Sequence, residues 1–355
     1  MCNYKKIHPN FKLNGFSYSK EELREVAYSL IKEGKPYEII IGDFLMDWLS
    51  VSPTTTVKTS GSTGKPKIMA LKKEHMSSSA LATANYFDLE AGSSALLCLN
   101  TNFIAGKMML VRAMVLGMEL DYVAPNSSPL KNTFKKYDFV AMVPLQVEDS
   151  LKELILVKTL IVGGAAMSKD LKGKLKSLNT KVYETYGMTE TITHIAIKEI
   201  KTNLGEGNAN FNVLPNVQIS QDKRNCLIIN APNISNDLVI TNDIVRLISD
   251  TEFQLLGRFD NIINSGGIKL IPEEIESKLS VIIENRFFVA GIPDEKLGQK
   301  LILVVEGNLD SNKIMNKIKA TSVLQKTEIP KDVVCILKFS ESNDKVQKEK
   351  TLRGI

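Results

Sequence analysis

Hydrophobic positions in the first part of the chain follow two alternating patterns. Short apolar runs predict β-strands, and apolar residues spaced three or four apart predict α-helices. Helices are predicted over Glu21–Lys32, Glu74–Tyr86, Gly106–Leu116 and Lys169–Leu178, and strands over Thr55–Thr59, Ile68–Leu71, Ala95–Leu99, Phe139–Val143 and Thr159–Val162. Strands that alternate with helices are typical of an α/β fold.

The pattern changes from Val213 onward, where short strands are separated by turn residues. These strands are predicted over Val217–Ser220, Cys226–Asn230, Leu238–Ile240, Ile244–Ile248 and Phe253–Leu256, which indicates a β-rich subdomain. Near Gly257 a second region begins, with a Gly-Gly turn and then a helix opened by Pro272. We expect an N-terminal α/β domain over 1–257, a hinge at 258–261 and a small, mobile C-terminal α+β domain over 262–355.

Composition narrows the functional classes. The 355 residues are 43% hydrophobic and 24% charged, which excludes a disordered or fibrous protein. The net charge of +5 is spread over isolated lysines, and only 6% of the residues are aromatic. A nucleic-acid groove requires clustered basic residues, so we expect no nucleic-acid partner and favour an anionic small-molecule substrate.

Cysteine spacing and hydropathy bear on the cellular setting. Cys2, Cys98, Cys226 and Cys335 form no CxxC pair, and three histidines add no zinc-site spacing. Scattered cysteines without a secretory segment are typical of a cytoplasmic protein. The most apolar stretch, 107–120, is too short for a bilayer and predicts a buried helix, so we expect no membrane insertion.

A loop rich in glycine and hydroxyl groups lies between two predicted strands. Residues 59–67 read TSGSTGKPK, with the glycines only three apart and Pro66 after the lysine, so this is not a Walker A loop. Glycine permits positive φ angles that turn several N–H groups into one concavity, and hydroxyls add donors for phosphate oxygens. A phosphate-binding loop and a plain polar connector are both compatible with the residues.

Two further segments follow predicted strands. Residues 186–190 read YGMTE, and Glu190 offers the kind of carboxylate that Mg²⁺ binds together with phosphate. Upstream, Gly163, Gly164 and Ala165 have little or no side chain, so a flat ring could approach the backbone. A solvated turn and close strand–helix packing remain the alternative interpretations.

The order of these segments resembles that of the adenylate-forming superfamily, which includes acyl- and aryl-CoA ligases, peptide-synthetase adenylation domains and luciferases. The resemblance extends from Val57 to the C-terminus and implies the superfamily's fold. It implies that the loop contacts ATP phosphates through Thr59, Ser60, Gly61, Ser62, Thr63, Gly64 and Lys65. It places adenine near Gly163, Gly164, Ala165, Tyr186 and Gly187, the α-phosphate at Thr189 and Mg²⁺ at Glu190.

The resemblance continues through the C-terminal part. Residues 241–243 read TND where the family has Thr-Gly-Asp, so Asp243 is expected to hold the ribose hydroxyls. The GRFD motif implies that Arg258 approaches the nucleotide and that Asp260 is the hinge. Gly266, Gly267 and Lys269 match the turn that lines the family's thiol tunnel.

Lys345 corresponds to the family's catalytic lysine. The sequence departs from the family's pattern on both sides, because Asp344 replaces glycine and Lys348 replaces arginine. A solvated lysine in a polar tail is the alternative interpretation, since Lys348 and Lys350 lie nearby.

Residues 102–112 look like the corresponding region of compact o-succinylbenzoate–CoA ligases of menaquinone biosynthesis. A dicarboxylic aromatic acid needs cations or donors for its second carboxylate, and the candidates are Lys107, Arg112 and Thr193, with Thr191 beside it. Lys107 and Arg112 could equally be cations at the edge of a buried helix.

The sequence thus predicts an ATP-dependent acid–CoA ligase with an acyl-AMP intermediate. Its partners would be a small-molecule acid, ATP with Mg²⁺ and coenzyme A, and a homo-oligomer is compatible with the sequence. The alternatives are another aryl- or acyl-CoA ligase, or a nucleotide-binding regulator that has lost turnover.

Overall fold

The computed structural model describes residues 6–58, 68–342 and 345–354, except the side chains of Ser342 and Lys345. The chain divides into two compact units. Unit 1 takes in the described residues of Met1–Ile219, Ile229–Val239 and Ile248–Phe253, and unit 2 those of Ser220–Ile228, Ile240–Leu247 and Gln254–Ile355. The hinge predicted at 258–261 stays a prediction.

Unit 1 contains a sheet with helices between its strands. Its helices are α1 (Lys20–Glu33), α2 (Pro36–Leu49), α3 (Lys73–Phe87), α4 (Ile104–Leu116), α5 (Pro144–Asp149) and α6 (Lys169–Leu175). The strands of unit 1 are β1 (Lys12–Leu13), β2 (Phe16–Ser17), β3 (Thr54–Lys58), β4 (Ile68–Lys72), β5 (Ser94–Leu97), β6 (Glu119–Tyr122), β7 (Tyr137–Met142), β8 (Val157–Val162), β9 (Lys181–Gly187), β10 (His194–Ile200) and β11 (Phe211–Val213). Strands β3 and β4 form a separate two-stranded sheet.

The centre of this sheet is parallel. Strands β1, β6, β5, β7, β8 and β9 lie side by side in that order, and each neighbouring pair is parallel. Strands β10 and β11 then extend the sheet antiparallel beyond β9. The loops after β8 and β9 therefore leave the same carboxyl edge, where ligands bind in open α/β sheets.

Alternate residues of the parallel strands enter two separate hydrophobic cores. Leu97 and Phe139 belong to the core that contains residues of helices α1 to α4. Leu96 and Val140 belong to the core that contains residues of α5 and α6. Because successive side chains of a strand point to opposite faces, helices cover both faces of the sheet.

The helices and strands that the sequence predicted in unit 1 mostly agree with the structure within about two residues at each end, but others, such as β1, β6 and α5, were not predicted. The predicted end of helix α6 was wrong, because the helix ends at Leu175 and not at Leu178. Helix α2 was not predicted: its apolar residues are nearly continuous, so they show no single-sided spacing. The strands that flank residues 59–67 are confirmed as an antiparallel pair, with Lys58 opposite Ile68.

Four strands contribute residues to both units, namely β12 (Gln218–Gln221), β13 (Cys226–Asn230), β14 (Val239–Leu247) and β15 (Glu252–Arg258). Two separate strands had been predicted over 238–240 and 244–248, but β14 is continuous. The polar residues at 241–243 suggested a turn, whereas their side chains are held by hydrogen bonds within the strand region.

Unit 2 contains a second, smaller sheet. The strands of this sheet are β16 (Ile263–Ser265), β17 (Ile268–Leu270), β18 (Phe287–Asp294), β19 (Gly298–Glu306) and β20 (Asp332–Ile336), and β21 (Glu341–Ser342) and β22 (Lys345–Val346) pair separately. The helices of unit 2 are α7 (Pro272–Leu279), α8 (Ser311–Lys319) and α9 (Lys348–Leu352). Strand β19 pairs antiparallel with β16 and β18 and parallel with β20. The predicted α+β character of this region is confirmed.

Within the described ranges, no helix is long and apolar enough to cross a membrane.

Candidate active site

The segment after β8 is shaped by two glycines. A side chain at Gly163 would lie 2.6 Å from Thr185 Oγ1, and Gly164 has a φ of +81° that favours glycine. Gly164 and the two alanines that follow are exposed, whereas Met167 is buried. Exposed backbone with little side-chain cover is therefore present at the carboxyl edge of the sheet, where the sequence predicted an adenine contact.

Strand β9 ends with Tyr186 and Gly187. Tyr186 is buried, and its ring packs against those of Phe211, at 6.0 Å between centroids, and Phe253, at 5.3 Å. A side chain at Gly187 would approach the carbonyl oxygen of Thr193 to 2.2 Å, so glycine is required where β10 begins to pair with β9. The predicted motif therefore begins on a rigid strand and not in a loose turn.

Glu190 lies in a 3-10 turn over Thr189–Thr191 directly after β9. The buried hydroxyl of Thr191 accepts from the Met188 amide at 3.0 Å and donates to the Thr193 carbonyl at 2.9 Å, which fixes the turn. Glu190 itself is exposed and makes no ion pair with a described residue. One available carboxylate suits Mg²⁺, which takes most of its ligands from phosphate and water.

The described residues contain no group of three or more His, Cys, Asp or Glu side chains able to hold a metal ion.

The chain is strained immediately after this turn. Ile192 has a φ of +64° and a ψ of −51°, and the Thr193 amide bonds to the Thr191 carbonyl at 2.6 Å, which defines a γ-turn. A positive φ is costly for a β-branched residue, and such strain is concentrated at functional sites. The strained turn directs Thr193 toward helix α4.

Arg112 of α4 contacts this turn. Its side chain is 1% exposed, and it donates from Nη2 to Thr193 Oγ1 at 3.0 Å and from Nε to Thr83 Oγ1 at 3.3 Å. No described carboxylate pairs with it, and burial lowers the pKa of Arg112 to about 10. Its Nη1 contacts only a weak acceptor among the described residues, Met109 Sδ at 3.7 Å, and a guanidinium has five N–H donors, so part of this one is left for another acceptor.

His194 is a residue that the sequence analysis left without a role. Its Nδ1 lies 3.2 Å from Thr193 Oγ1, and its Nε2 is buried without a hydrogen-bond partner. Burial, with a smaller contribution from the Arg112 charge, lowers the pKa of His194 to about 3. A neutral imidazole beside an unneutralised guanidinium is thus built into this part of unit 1.

Lys107 does not join this group. Its ammonium nitrogen lies 4.6 Å from the centre of the Phe44 ring. Burial lowers the pKa of Lys107, against the opposing charges of Asp47 and Asp43 on α2. The structure therefore brings Arg112 and Thr193 together and places Lys107 against another helix.

Unit 2 holds the candidate ribose residues in one polar network. Arg258 donates from Nη1 to Asp243 at 3.0 Å and from Nη2 to Asp260 at 3.0 Å. Asp243 is 7% exposed, and its amide donates to Thr241 Oγ1 at 3.1 Å. The three predicted residues Asp243, Arg258 and Asp260 are therefore adjacent in space.

The replacement of glycine by Asn242 is accommodated by this network. Asn242 donates to Asp260 at 3.1 Å and accepts from Arg224 at 2.9 Å. Arg224 also donates to the Thr241 carbonyl at 3.2 Å and lies 5.0 Å from the Phe259 ring. Sequence reasoning missed Arg224, because its motif neighbours are distant in sequence.

The predicted Gly-Gly turn is confirmed as the tip of the β16–β17 hairpin. Gly266 and Gly267 have φ values of +59° and +81°, as a two-residue turn with positive φ at both positions requires. Lys269 is exposed on β17. The hairpin leads into α7, which begins at Pro272 as predicted.

Some predicted residues lie outside the described residues. They are Thr59, Ser60, Gly61, Ser62, Thr63, Gly64 and Lys65 of the loop, together with Asp344. The backbone of Lys345 is described in β22, opposite Ser342.

Comparison with known proteins places the chain in a family. A model described as an AMP-binding enzyme matches residues 52–219. The solved acyl-CoA synthetase (AMP-forming)/AMP-acid ligase II-like protein from Dyadobacter fermentans is 34% identical, over 93% of this chain and 98% of that one, with a TM-score of 0.61. The chain belongs to the AMP-binding enzyme family. The α/β fold class and the superfamily predicted from the motifs are thereby confirmed.

More distant members of the AMP-binding enzyme family carry specific names. The 2-succinylbenzoate–CoA ligase of Haemophilus influenzae is 25% identical over 288 residues, which cover 72% of this chain and 60% of that protein. The o-succinylbenzoate CoA synthetase from Bacillus subtilis, solved with its acyl-adenylate intermediate, is 19% identical over 83% of this chain and 68% of that one, with a TM-score of 0.70. The latter likeness shows the fold alone. This chain spans 60–64% of the length of the first two curated relatives.

Proposed function

We propose that this chain is an AMP-forming acid–CoA ligase whose acid is o-succinylbenzoate or a close dicarboxylic analogue. A carboxylate of the acid attacks the α-phosphate of ATP, and pyrophosphate leaves with the cleaved P–O bond. The thiolate of coenzyme A then attacks the acyl carbon, and AMP leaves. No covalent enzyme intermediate is needed, so the protein contributes positioning and charge stabilisation.

Family membership and the site residues support the first step. The segment 163–166, exposed over its last three residues, and Tyr186 are assigned to adenine, and Thr189 to the α-phosphate. Asp243 and Arg258 are assigned to the ribose, and Gly266, Gly267 and Lys269 to the path of the thiol. Mg²⁺ bound to the phosphates and Glu190 would offset negative charge during attack.

The observation that carries the substrate assignment is Arg112. A buried guanidinium without a carboxylate partner is costly to hold, and an anion from a ligand would neutralise it. Thr193 is only half-buried and connects Arg112 with the turn that carries Glu190. A second carboxylate on the acid substrate matches both the charge and the spare donors of Arg112. The names of the more distant relatives point to the same class of acid.

The proposal is tested by pyrophosphate release with ATP, Mg²⁺ and three acids: o-succinylbenzoate, benzoate and a fatty acid. We expect kcat/KM for o-succinylbenzoate to exceed that for benzoate by about 10²-fold or more, since benzoate leaves Arg112 unpaired. Arg112→Lys keeps the charge but loses the planar fork, so it should lower kcat/KM for o-succinylbenzoate by about 10-fold and leave that for benzoate unchanged.

Three outcomes separate the alternatives. Equal kcat/KM for benzoate and o-succinylbenzoate would overturn the acid assignment and retain the ligase class. Preference for a fatty acid would indicate another acyl-CoA ligase. Binding of ATP without pyrophosphate release from any acid would favour the nucleotide-binding regulator, for which the departures at Asp344 and Lys348 are the supporting observation.

A further inference from the structure

Side chains of strand β9 hold both ends of the segment Gly163–Ala166, which is exposed from Gly164 to Ala166. At its start, Thr185 Oγ1 donates to the Val162 carbonyl at 3.2 Å. At its end, the Met167 amide donates to Glu184 Oε1 at 3.0 Å. Thr185 and Glu184 directly precede Tyr186. The same strand therefore carries the tyrosine assigned to adenine and holds the backbone segment assigned to adenine.

Glu184 is an unusual residue for a strand interior. It is 4% exposed, and its second oxygen, Oε2, accepts from Lys172 of α6 at 2.9 Å and from Lys198 of β10 at 2.7 Å. The two carboxylate oxygens thus have different partners: Oε1 accepts from a backbone amide, and Oε2 binds two lysine ammonium groups. A buried carboxylate is retained where partners on several elements compensate its desolvation.

The two lysines keep Glu184 ionised. Burial by itself would raise the pKa of Glu184, but the charges of Lys198 and Lys172 and the hydrogen bond from Met167 together lower it. An ionised acceptor makes a shorter and stronger bond to an amide than a neutral one does. The hydrogen bond from the Met167 amide to Glu184 is therefore charge-assisted at neutral pH.

We propose that Glu184 is a positioning residue for nucleotide binding, which fixes the Gly163–Ala166 backbone through the Met167 amide. This inference rests on the proposed function, because it takes that segment as the adenine contact. Four residues fastened at both ends lose little further conformational entropy when a ligand binds, whereas a segment released at one end has to be ordered by the ligand. Glu184 itself does not contact the nucleotide.

The test measures the Kd of AMP by calorimetry and the KM for ATP in pyrophosphate release. Glu184→Ala should raise both by about 10-fold or more, and kcat at saturating ATP should stay within about threefold of wild type. Glu184→Gln retains an acceptor for the Met167 amide, so its Kd for AMP should recover to within about threefold of wild type. Thr185→Val removes only the fastening at Val162 and should also weaken AMP binding.

Glu148→Ala is the matched control. Glu148 forms an ion pair with Lys174 of α6, so its loss disturbs the same helix without touching the segment. We expect this control to bind AMP as the wild-type protein does. A merely structural role of Glu184 would lower the melting temperature of Glu184→Ala and leave the Kd of its folded fraction unchanged, and this result would overturn the inference.

The inference and the proposed function can fail separately. Wild-type protein that binds AMP but releases no pyrophosphate with any acid would overturn the ligase, while the effect of Glu184 on AMP binding would still decide the inference. Wild-type protein that binds neither AMP nor ATP would overturn both. If Glu184→Ala does not fold, Thr185→Val and Glu184→Gln decide: the inference is contradicted if the first binds AMP as tightly as wild type or the second loses binding entirely.

Discussion

Arg112 and His194 show what a motif search cannot reach at the scale of single residues. The hydrogen bond between Arg112 and Thr193 joins positions 81 residues apart, and nothing local in either segment specifies it. The sequence indicated Arg112 and Thr193 as candidates for binding the acid, but it could not show that they contact each other. His194 was passed over, because a histidine in an apolar strand is most often part of a core. Only the structure shows that His194 is buried beside the Arg112 guanidinium, which lowers its pKa.

The burial of His194 predicts an acid-sensitive fold. Its pKa in the folded chain is about 3, and that of an unfolded histidine is about 6.5, so only the unfolded chain takes up this proton between those pH values. The stability supplied by the neutral imidazole is therefore complete above about pH 6.5 and declines as the pH falls toward 3. Between pH 7 and pH 5 this group should cost about 2 kcal/mol of unfolding free energy.

Urea unfolding of the wild-type protein and of His194→Gln at both pH values measures this contribution. The variant cannot take up the proton, so its unfolding free energy should fall less than that of the wild type by about that amount. The same fall in both proteins would show that His194 does not titrate differently on folding.

At the scale of elements, the sequence predicted helices α1, α3 and α4 and missed others, such as α2. Helix α1 has apolar residues on one face and a capping box at Ser19, and it was found within a residue at each end. Helix α2 is apolar over most of its length, so spacing could not reveal it. Strand β14 was divided in two, since the Asn242 and Asp243 side chains that mimic a turn are partners of Arg224 and Arg258.

Helix α2 is held at its C-terminus by a buried lysine. Lys73 is fully buried and donates from Nζ to the Asp47 carbonyl at 2.6 Å and to Ser50 Oγ at 3.2 Å. Burial lowers the pKa of Lys73, with the Asp47 charge opposing this effect. A cation at these carbonyls satisfies acceptors that the helix leaves unpaired and complements its dipole.

Lys73→Met keeps the apolar stem and removes these bonds, so it should lower the unfolding free energy by about 2 kcal/mol. The matched control is Lys72→Met, because Lys72 is exposed and its ammonium group donates to Asn236 at 3.1 Å on the surface. We expect the control to change the unfolding free energy by less than about 0.5 kcal/mol. Equal unfolding midpoints in urea for the two variants would show that Lys73 does not support α2.

At the scale of the whole molecule, the residues assigned to one reaction are divided between the two units. Gly163, Tyr186 and Glu190 lie in unit 1, and Asp243 and Lys345 in unit 2. The sequence motifs predicted these site residues, because each motif is short, local and rich in glycine, hydroxyl or charged residues. Sequence could not predict the partners that surround them, such as Arg224 and Glu184, since their roles depend on contacts between distant strands.

Lys345 provides the test that involves the whole reaction. A cation near the reacting carboxylate and the α-phosphate stabilises charge that develops during adenylation, but it has no such role when a thiolate displaces AMP. Lys345→Ala should therefore slow pyrophosphate release by about 10²-fold or more and leave thioester formation from a supplied acyl adenylate within about threefold of wild type.

Lys350→Ala is the control, because Lys350 is exposed. Lys348 is a poor control, since it pairs with Glu276 at 2.8 Å and lies 5.4 Å from the Phe288 ring, so its loss would disturb packing within unit 2. Rapid-quench measurement of each half-reaction separates the two steps. If Lys345→Ala forms the adenylate at the wild-type rate, the catalytic lysine is another residue or the reaction uses none.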